Sequence, residues 1–497
     1  SYENNGPYGQ EYYKGYDALA EAGEDWPEKP REGDYRYGHF INGRELFIMG
    51  GSVVPPVLFW SDWEPDYFRR LVTMARRANQ NTLRIWGGGY VCDDAFFETA
   101  DLLGVMIQHD FPNFAVFADR SYTFNQKKET EFRLILRQLM AHPSLVVMNG
   151  GNELLQLTGN RPLNPLFQTM ARVVRQEAPN QFFHLSCPVN PEVHGPWSFN
   201  LDHAARYNSF KTIFNSECGT MALPSLKSWR RALSPAPLAD LFGPVWLHRL
   251  KDRGALETVV HMSALFGPPR AGTPGQAVRR SQLLQAWGYQ YIAEEFRRQK
   301  PATSGFITWE YNEPWLDMNW GILDHDLIPK ASFWSMRRAC APAVLSARFG
   351  SYVVAPQAPC RLEIWLSADG LPVSVRATAR AFDQAGALLG EVAVSGETDG
   401  VSVCLGELTF AAPLAGAIFV RLEGQTGEGG KLRNDYQFCV LPQVRREQPV
   451  RVLFLSGGCY ESAVSHEYFK AAGFTLDDRR VSPVAPLAAG SVDLAAY

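Results

Sequence analysis

Ser144-Leu145-Val146-Val147-Met148-Asn149-Gly150-Gly151-Asn152-Glu153 is a short apolar run that gives way to two glycines and an Asn-Glu pair. Turn chemistry brackets it, with His142-Pro143 before and Thr158-Gly159-Asn160 after. A continuous apolar run of this length between turn signals is how a strand buried on both faces reads, as in a parallel sheet. The C-terminal tip of such a strand is where α/β barrels keep their chemistry. Glu153 is therefore a carboxylate at a strand tip, and its weight depends on a second carboxylate at the tip of another strand.

Upstream, Phe40-Ile41-Asn42-Gly43-Arg44-Glu45-Leu46 carries an Asn-Gly between apolar arms, a hairpin signal. Its second arm runs on through Gly50-Gly51-Ser52-Val53, taken as the first barrel strand. From there strands and helices alternate. Asp66 to Asn79 has helical apolar spacing, and Thr82-Leu83-Arg84-Ile85-Trp86 is a strand ending in Gly87-Gly88-Gly89. Asp93-Asp94 opens a helix that Gly104 ends, with acids in the first turn where the dipole favours them. Val105 to Phe111 is the third strand, and a helix over Gln126 to His142 leads to the opening stretch as the fourth. A helix over Asn164 to Glu177 follows. Strand five is Phe182 to Ser186, a short strand six lies near His194-Gly195-Pro196-Trp197, and strand seven is Thr212 to Glu217. Met221 to about Pro274 reads as a helical excursion over the barrel rim. A long helix over Gln276 to Lys300, strand eight over Ser304 to Glu310, and a helix over Lys330 to Cys340 close the set. Eight such units define an α/β protein of the (β/α)8, or TIM-barrel, class.

After Pro342 the texture changes to alternating strands separated by Gly-, Asp- and Pro-rich turns, as at Arg361–Leu366, Val373–Ala377 and Ala417–Leu422. That spacing predicts an immunoglobulin-like β-sandwich. Val450 to Ser456 and a helical stretch over Ser462–Ala472 open a further α/β piece that the remaining residues are too few to complete, so it is expected to be truncated. The expected organisation is an irregular segment over 1–37, the barrel over 38–343, the sandwich over 344–445 and the start of the α/β piece over 446–497.

With 497 residues and a net charge of −4, the chain gives no electrostatic case for nucleic acid or an anionic membrane. No apolar run approaches the roughly 20 residues that span a bilayer. Eight dispersed cysteines form no C-x-x-C pair, and the ten histidines show no zinc spacing, so no metal or other cofactor is expected. A cytoplasmic, reducing compartment fits that cysteine usage. No signal peptide is visible, and the N-terminus is expected to be incomplete. Gly87-Gly88-Gly89 is no phosphate loop, because no Gly-Lys-Ser/Thr follows. The aromatic content of 12% is mostly core, with some Trp and Tyr available as stacking walls for a sugar-like ligand.

Glu217 supplies the second carboxylate. It closes the apolar run of strand seven as Glu153 closes strand four, so both point into one barrel mouth. Two facing carboxylates can divide acid and base duties, one held protonated and the other ionised. Glycoside hydrolysis uses such a pair, at about 5–5.5 Å when the anomeric configuration is retained.

Asn152-Glu153 after one strand, Ser216-Glu217 after a later one, and Leu83-Arg84-Ile85-Trp86-Gly87-Gly88-Gly89 together resemble family 2 glycoside hydrolases. The last of these, with Gln108-His109-Asp110-Phe111 and Trp309-Glu310-Tyr311-Asn312-Glu313-Pro314-Trp315, looks most like the β-mannosidase and exo-β-glucosaminidase branch. The resemblance covers roughly residues 38–345 and the sandwich. It implies a retaining exo-β-glycosidase whose substrate is a carbohydrate, with β-mannosides first. By position, Glu153 would be the acid/base and Glu217 the nucleophile. Asn152 would bond the sugar 2-hydroxyl, Arg84 would keep the nucleophile ionised, and Trp309 would be the sugar platform. His109 and Asp110 would line the pocket, with His194 and Trp197 as further candidates.

The chain departs from the family at His109-Asp110, where Gln-Asp is usual, and at Cys218 after the nucleophile. His194-Gly195-Pro196-Trp197 stands where relatives often carry His-Tyr. The N-terminal β domains usual in the family are missing from the sequence. Two alternatives stay open. One is an exo-β-glucosaminidase or another β-glycosidase, for which Asp110 or Glu310 would meet the amino group. The other is a sugar-binding or scaffold protein that has lost turnover.

Overall fold

The computed structural model describes residues 39–441, apart from 42, 58, 60–61, 115–121, 155–164, 190–191, 199–202, 250–252, 268–271 and 371, together with the strands at 450–456 and 474–480. The irregular segment over 1–37 and the helix over 462–472 lie outside them. The hairpin forms from β1 (His39–Ile41) and β2 (Arg44–Leu46), which pair antiparallel. Then come β3 (Ile48–Val53), α1 (Pro65–Arg77), β4 (Thr82–Ile85), α2 (Asp94–Leu103), β5 (Met106–Asp110), α3 (Tyr122–Leu139), β6 (Leu145–Asn149), α4 (Pro165–Glu177), β7 (Phe182–His184), β8 (Glu192–His194), α5 (His203–Ser209) and β9 (Phe214–Cys218). Four helices make the rim excursion: α6 (Leu226–Ala232), α7 (Pro235–Ala239), α8 (Pro244–His248) and α9 (Arg253–Phe266). The barrel ends with α10 (Pro274–Arg298), β10 (Gly305–Thr308) and α11 (Ala331–Ala339).

Strands β3 to β10 form one eight-stranded sheet in the order β7-β6-β5-β4-β3-β10-β9-β8. The last strand pairs parallel with the first, Gly305 opposite Ile48, so the sheet curls into a barrel. Its seam lies between β7 and β8, which share no ladder among the described residues. The helices obey local rules. The Asp93 side chain caps α2 by accepting from Ala95 N, and Gly104 ends that helix in the left-handed conformation at φ 66°. Thr273 and Gln276 form a capping box on α10.

Strand alternation fixes what enters the barrel. Ile48, Met106, Phe214 and Ile307, from strands around the ring, make a small apolar plug inside it. Their neighbours Ile107 and Phe306 join the large core between sheet and helices. By the same alternation Gln108 and Asp110 point inward while His109 points out.

The sandwich follows. Its smaller sheet is β11 (Ala343–Arg348), β13 (Pro359–Ala368) and β16 (Ser402–Ala411), and its larger one is β12 (Val353–Val354), β18 (Lys431–Val440), β17 (Gly416–Thr426), β14 (Val373–Phe382) and β15 (Leu388–Thr398). Helix α10 faces both units. Trp287 stacks on Tyr352 at 5.0 Å and 5°, Tyr436 Oη donates to Glu294 Oε2 at 2.6 Å, and Arg297 pairs with Asp369 at 3.0 Å. Beyond the sandwich, β19 (Val450–Ser456) and β20 (Phe474–Arg480) pair in parallel. No helix among the described residues is long and apolar enough to cross a membrane.

Candidate active site

Arg84 points inward from β4 and is fully buried. Its Nη1 donates to Glu217 Oε1 at 2.8 Å, and its Nη2 donates to Asp110 Oδ2 and to Asn152 Oδ1, each at 2.7 Å. Nε adds a longer bond to Asp110 Oδ1 at 3.3 Å. Asp110 also accepts from Asn149 Nδ2 at 2.8 Å and from Gly87 N at 3.0 Å, so both of its oxygens are engaged. One guanidinium thus ties the ends of β4, β5 and β9 to the Asn152 loop. Burial opposes its charge while Asp110 and Glu217 favour it, and the balance holds Arg84 well above the usual arginine range.

Glu217 also accepts from Trp197 Nε1 at 3.2 Å. Its ladders slip on both sides, between Val193 and His194 against β8 and between Phe306 and Thr308 against β10. Such irregularities re-aim side chains beside functional sites. Here the slip lets Phe214 fill the plug and Glu217 face the mouth of the same strand.

Glu153 is held by its backbone. Its N–H donates to Cys187 O at 2.8 Å, and Asn152 N donates to Asn113 O at 2.8 Å. Glu153 itself sits at φ 53°, a left-handed conformation that a non-glycine residue adopts at some cost. Gly151 before it has φ 147°, and a Cβ there would lie 2.4 Å from Asn113 O. Gly151→Ala is therefore expected to destabilise the fold by about 3 kcal/mol in a denaturant titration. It should also lower turnover, because relief of the clash displaces Glu153.

The two carboxylates and His194 Nδ1 converge, with one ligating atom of each within 4.8 Å of the others. His194 Nδ1 is 2.9 Å from Glu153 Oε1 and 3.4 Å from Glu217 Oε2. These three residues also constitute a donor set able to hold a divalent cation, although Arg84 already compensates Glu217. Burial raises both carboxyl groups above the ordinary glutamate range, and Arg84 opposes that shift in each. Glu217 has the direct contact with the guanidinium, and the neighbouring Glu153 charge adds to the burial that raises it. Burial pushes His194 down to about 4, so its ring is neutral.

An aromatic wall borders the mouth. Trp309 packs edge-on against Trp86 at 5.1 Å, Trp86 packs against the exposed Phe114 at 4.7 Å, and Trp320 lies 6.5 Å beyond Trp309. Trp320 Nε1 donates to Trp197 O at 2.6 Å.

Of the residues singled out from sequence, Arg84, Asp110, Asn152, Glu153, His194, Trp197 and Glu217 form one connected cluster, and Trp309 stands in the wall beside it. His109 does not come to it. His109 faces outward on β5 and stacks on Phe97 of α2 at 6.1 Å and 22°, correcting its expected place in the pocket. Glu310 is buried, close enough to Tyr289 of α10 for its charge to raise that phenol. Cys218 turns away, its Sγ 3.8 Å from Ile307 O. Asn149, Cys187, Trp86, Phe114 and Trp320 were not on the list. Asn149 carried a signal, a polar residue closing an apolar strand. Cys187, in the β7–β8 connection, carried none.

A parallel eight-stranded sheet curled into a barrel with two carboxylates meeting at its mouth, followed by a two-sheet sandwich, is the architecture of the large barrel glycoside hydrolases. No family model matches the chain. It is 24% identical over 348 residues to β-mannosidase B of Emericella nidulans, across 62% of this chain and 41% of that protein. It is equally identical over 374 residues to β-mannosidase B of Aspergillus clavatus, across 66% and 44%. The chain thus spans less than half the length of these relatives. Among solved structures, the β-D-mannosidase of Dictyoglomus thermophilum superposes with a TM-score of 0.70 at 20% identity, over 83% of this chain and 52% of that one. The exo-chitosanase of Amycolatopsis orientalis gives 0.64 at 17%, over 81% and 50%. The chain is thus similar in sequence to β-mannosidases and shares its fold with a β-mannosidase and an exo-chitosanase, both glycoside hydrolases.

Proposed function

We propose that the chain forms the catalytic barrel, over 38–343, of a retaining exo-β-glycosidase acting on β-mannosides. The observation that carries this is the spacing of the carboxylates: oxygens of Glu153 and Glu217 lie within 4.8 Å, close to the roughly 5–5.5 Å of retaining enzymes and short of the gap that an inverting water needs. Glu217, charged beside Arg84, attacks the anomeric carbon as the bond to the leaving oxygen breaks. Glu153 gives that oxygen its proton. The resulting carboxylate then takes a proton from water, whose oxygen displaces Glu217 from the sugar. Asn152, held by Arg84, offers its amide Nδ2 to the 2-hydroxyl, and Trp309 with Trp86 provides the apolar wall against which a pyranose ring stacks.

A neutral sugar fits this pocket better than an amino sugar. Asp110 is fully engaged by Arg84, Asn149 and Gly87 N, so it is not directed to a 2-amino group. Matching with β-mannosidases in both sequence and fold points the same way.

The test is a panel of aryl β-glycosides with a mechanism-based fluoroglycoside. Turnover of the β-mannoside with retained configuration is expected, and the label should add to the peptide bearing Glu217. Labelling elsewhere moves the nucleophile. A second result tests Glu153. Because burial raises its pKa, kcat/KM should fall on the alkaline side as this group loses its proton. Glu153→Ala should abolish that limb, keep substantial activity on dinitrophenyl glycosides that need no proton, and lose about 10²–10⁴-fold on poor leaving groups. An unchanged alkaline limb in the variant would place the acid on another residue.

A further inference from the structure

The barrel seam holds a polar chain that runs to the carboxylate pair. Behind His194, Nε2 lies 3.7 Å from Cys187 Sγ. Cys187 Sγ is also 3.9 Å from Glu192 Oε2, which in turn accepts from Ser216 Oγ at 3.3 Å and Val189 N at 3.3 Å. His184 Nδ1 stands 3.6 Å from the other Glu192 oxygen. Cys187, Ser216 and Glu192 are buried. These side chains span the gap where β7 and β8 have no ladder, and the Cys187 backbone anchors Glu153 N and Gly151 O.

A neutral imidazole carries one N–H, and the partner of one nitrogen decides which nitrogen has it. Glu217 Oε2, ionised in the proposed pair, faces Nδ1 at 3.4 Å, so a lone pair there would oppose it, while the carbonyl oxygen of a protonated Glu153 can accept from the same Nδ1–H at 2.9 Å. Arg84, Asp110, Glu153 and Glu217 are the charged groups around this ring. On its far edge stands the thiol, and burial with nearby carboxylates holds Cys187 well above its usual range, as S–H.

We propose that Cys187 is a positioning residue, its S–H donating to His194 Nε2 so that the ring presents Nδ1–H to Glu153 and Glu217 together. The shared donor restrains the two carboxylates at the spacing that double displacement requires. It also offers the proton-bearing Glu153 an alternative partner when substrate enters. The catalytic significance rests on the glycosidase reading, whereas the tautomer does not.

Nitrogen NMR on protein labelled at histidine, with His194 assigned by the signal missing from His194→Gln, reads the tautomer directly. Nδ1–H in the wild type is expected, and Nε2–H overturns the proposal whatever the activity. In kinetics on an aryl β-glycoside, Cys187→Ala should lower kcat about fivefold, the worth of one neutral hydrogen bond, with KM nearly unchanged. Cys187→Ser, which restores a donor, should recover part of the loss. In a His194→Gln background Cys187→Ala should add nothing, because it acts through that ring. Wild-type kcat in Cys187→Ala, or additive losses in the double variant, overturns the proposal. An inactive wild type sinks the glycosidase reading and leaves the tautomer measurement to judge the seam.

Discussion

Glu217→Gln is expected to reduce turnover of aryl β-glycosides by about 10⁵-fold or more while leaving the fold intact, since losing a nucleophile removes a covalent route rather than a contact. The amide matches the carboxylate in shape, and its oxygen still accepts from Arg84 Nη1, which lies 2.8 Å from Oε1 in the native protein. The amide NH2 then faces Trp197 Nε1, a donor meeting a donor, so a stability change of about 1 kcal/mol is expected. Its carbonyl oxygen is too weak a nucleophile to form the glycosyl ester. Steady-state assays together with mass spectrometry after a fluoroglycoside check both halves: no turnover and no adduct. Full activity in the variant would remove Glu217 from the reaction.

Arg84→Met is expected to be the most damaging single change to the site as a structure. Arg84 is completely buried and serves Asp110, Glu217 and Asn152 at once. Removing one partner of a buried ion pair costs about 3–5 kcal/mol because the remaining charge stays buried and uncompensated. Two carboxylates would be stranded here. The native pKa of Glu217, already raised by burial, would rise further above the unfolded one, so the folded state would bind that proton more tightly. Stability lost to the substitution should then be smallest at acid pH and grow as pH rises through the raised native pKa of Glu217. Urea midpoints at about pH 5 and about pH 8 measure that sign. Arg84→Lys keeps a charge but presents a compact ammonium where a planar fork spans three partners. It should regain stability without regaining kcat. A pH-independent loss in Arg84→Met would argue that the pair does not titrate as described.

The strand-helix rhythm was legible because buried apolar runs and glycine- or acid-marked helix ends are local signals, and both carboxylates could be read as strand tips. The phase of each strand was not. Met106 and Ile107 are both apolar, yet one fills the barrel and the other faces the helices, so sequence alone could not say that Asp110 enters and His109 leaves. In the sandwich the alternation is explicit, and β13 reads out its buried face residue by residue over Pro359–Ile364. The ladder slips around β9 and the seam contacts of Cys187 arise from tertiary packing, for which a lone cysteine in a loop gives no local sign.

Helix α10 has one more implication. On its inner side Tyr289 Oη donates to the carbonyls of Trp309 and Trp320, at 2.7 and 2.8 Å, and on its outer side Trp287 lies flat on Tyr352 of the sandwich. The tryptophan wall therefore hangs from a beam whose other end is clamped by a different layer of the protein. Alignment of that aromatic surface is a property of the whole thickness of the molecule, and a loosened sandwich would blur it without touching a single residue at the mouth.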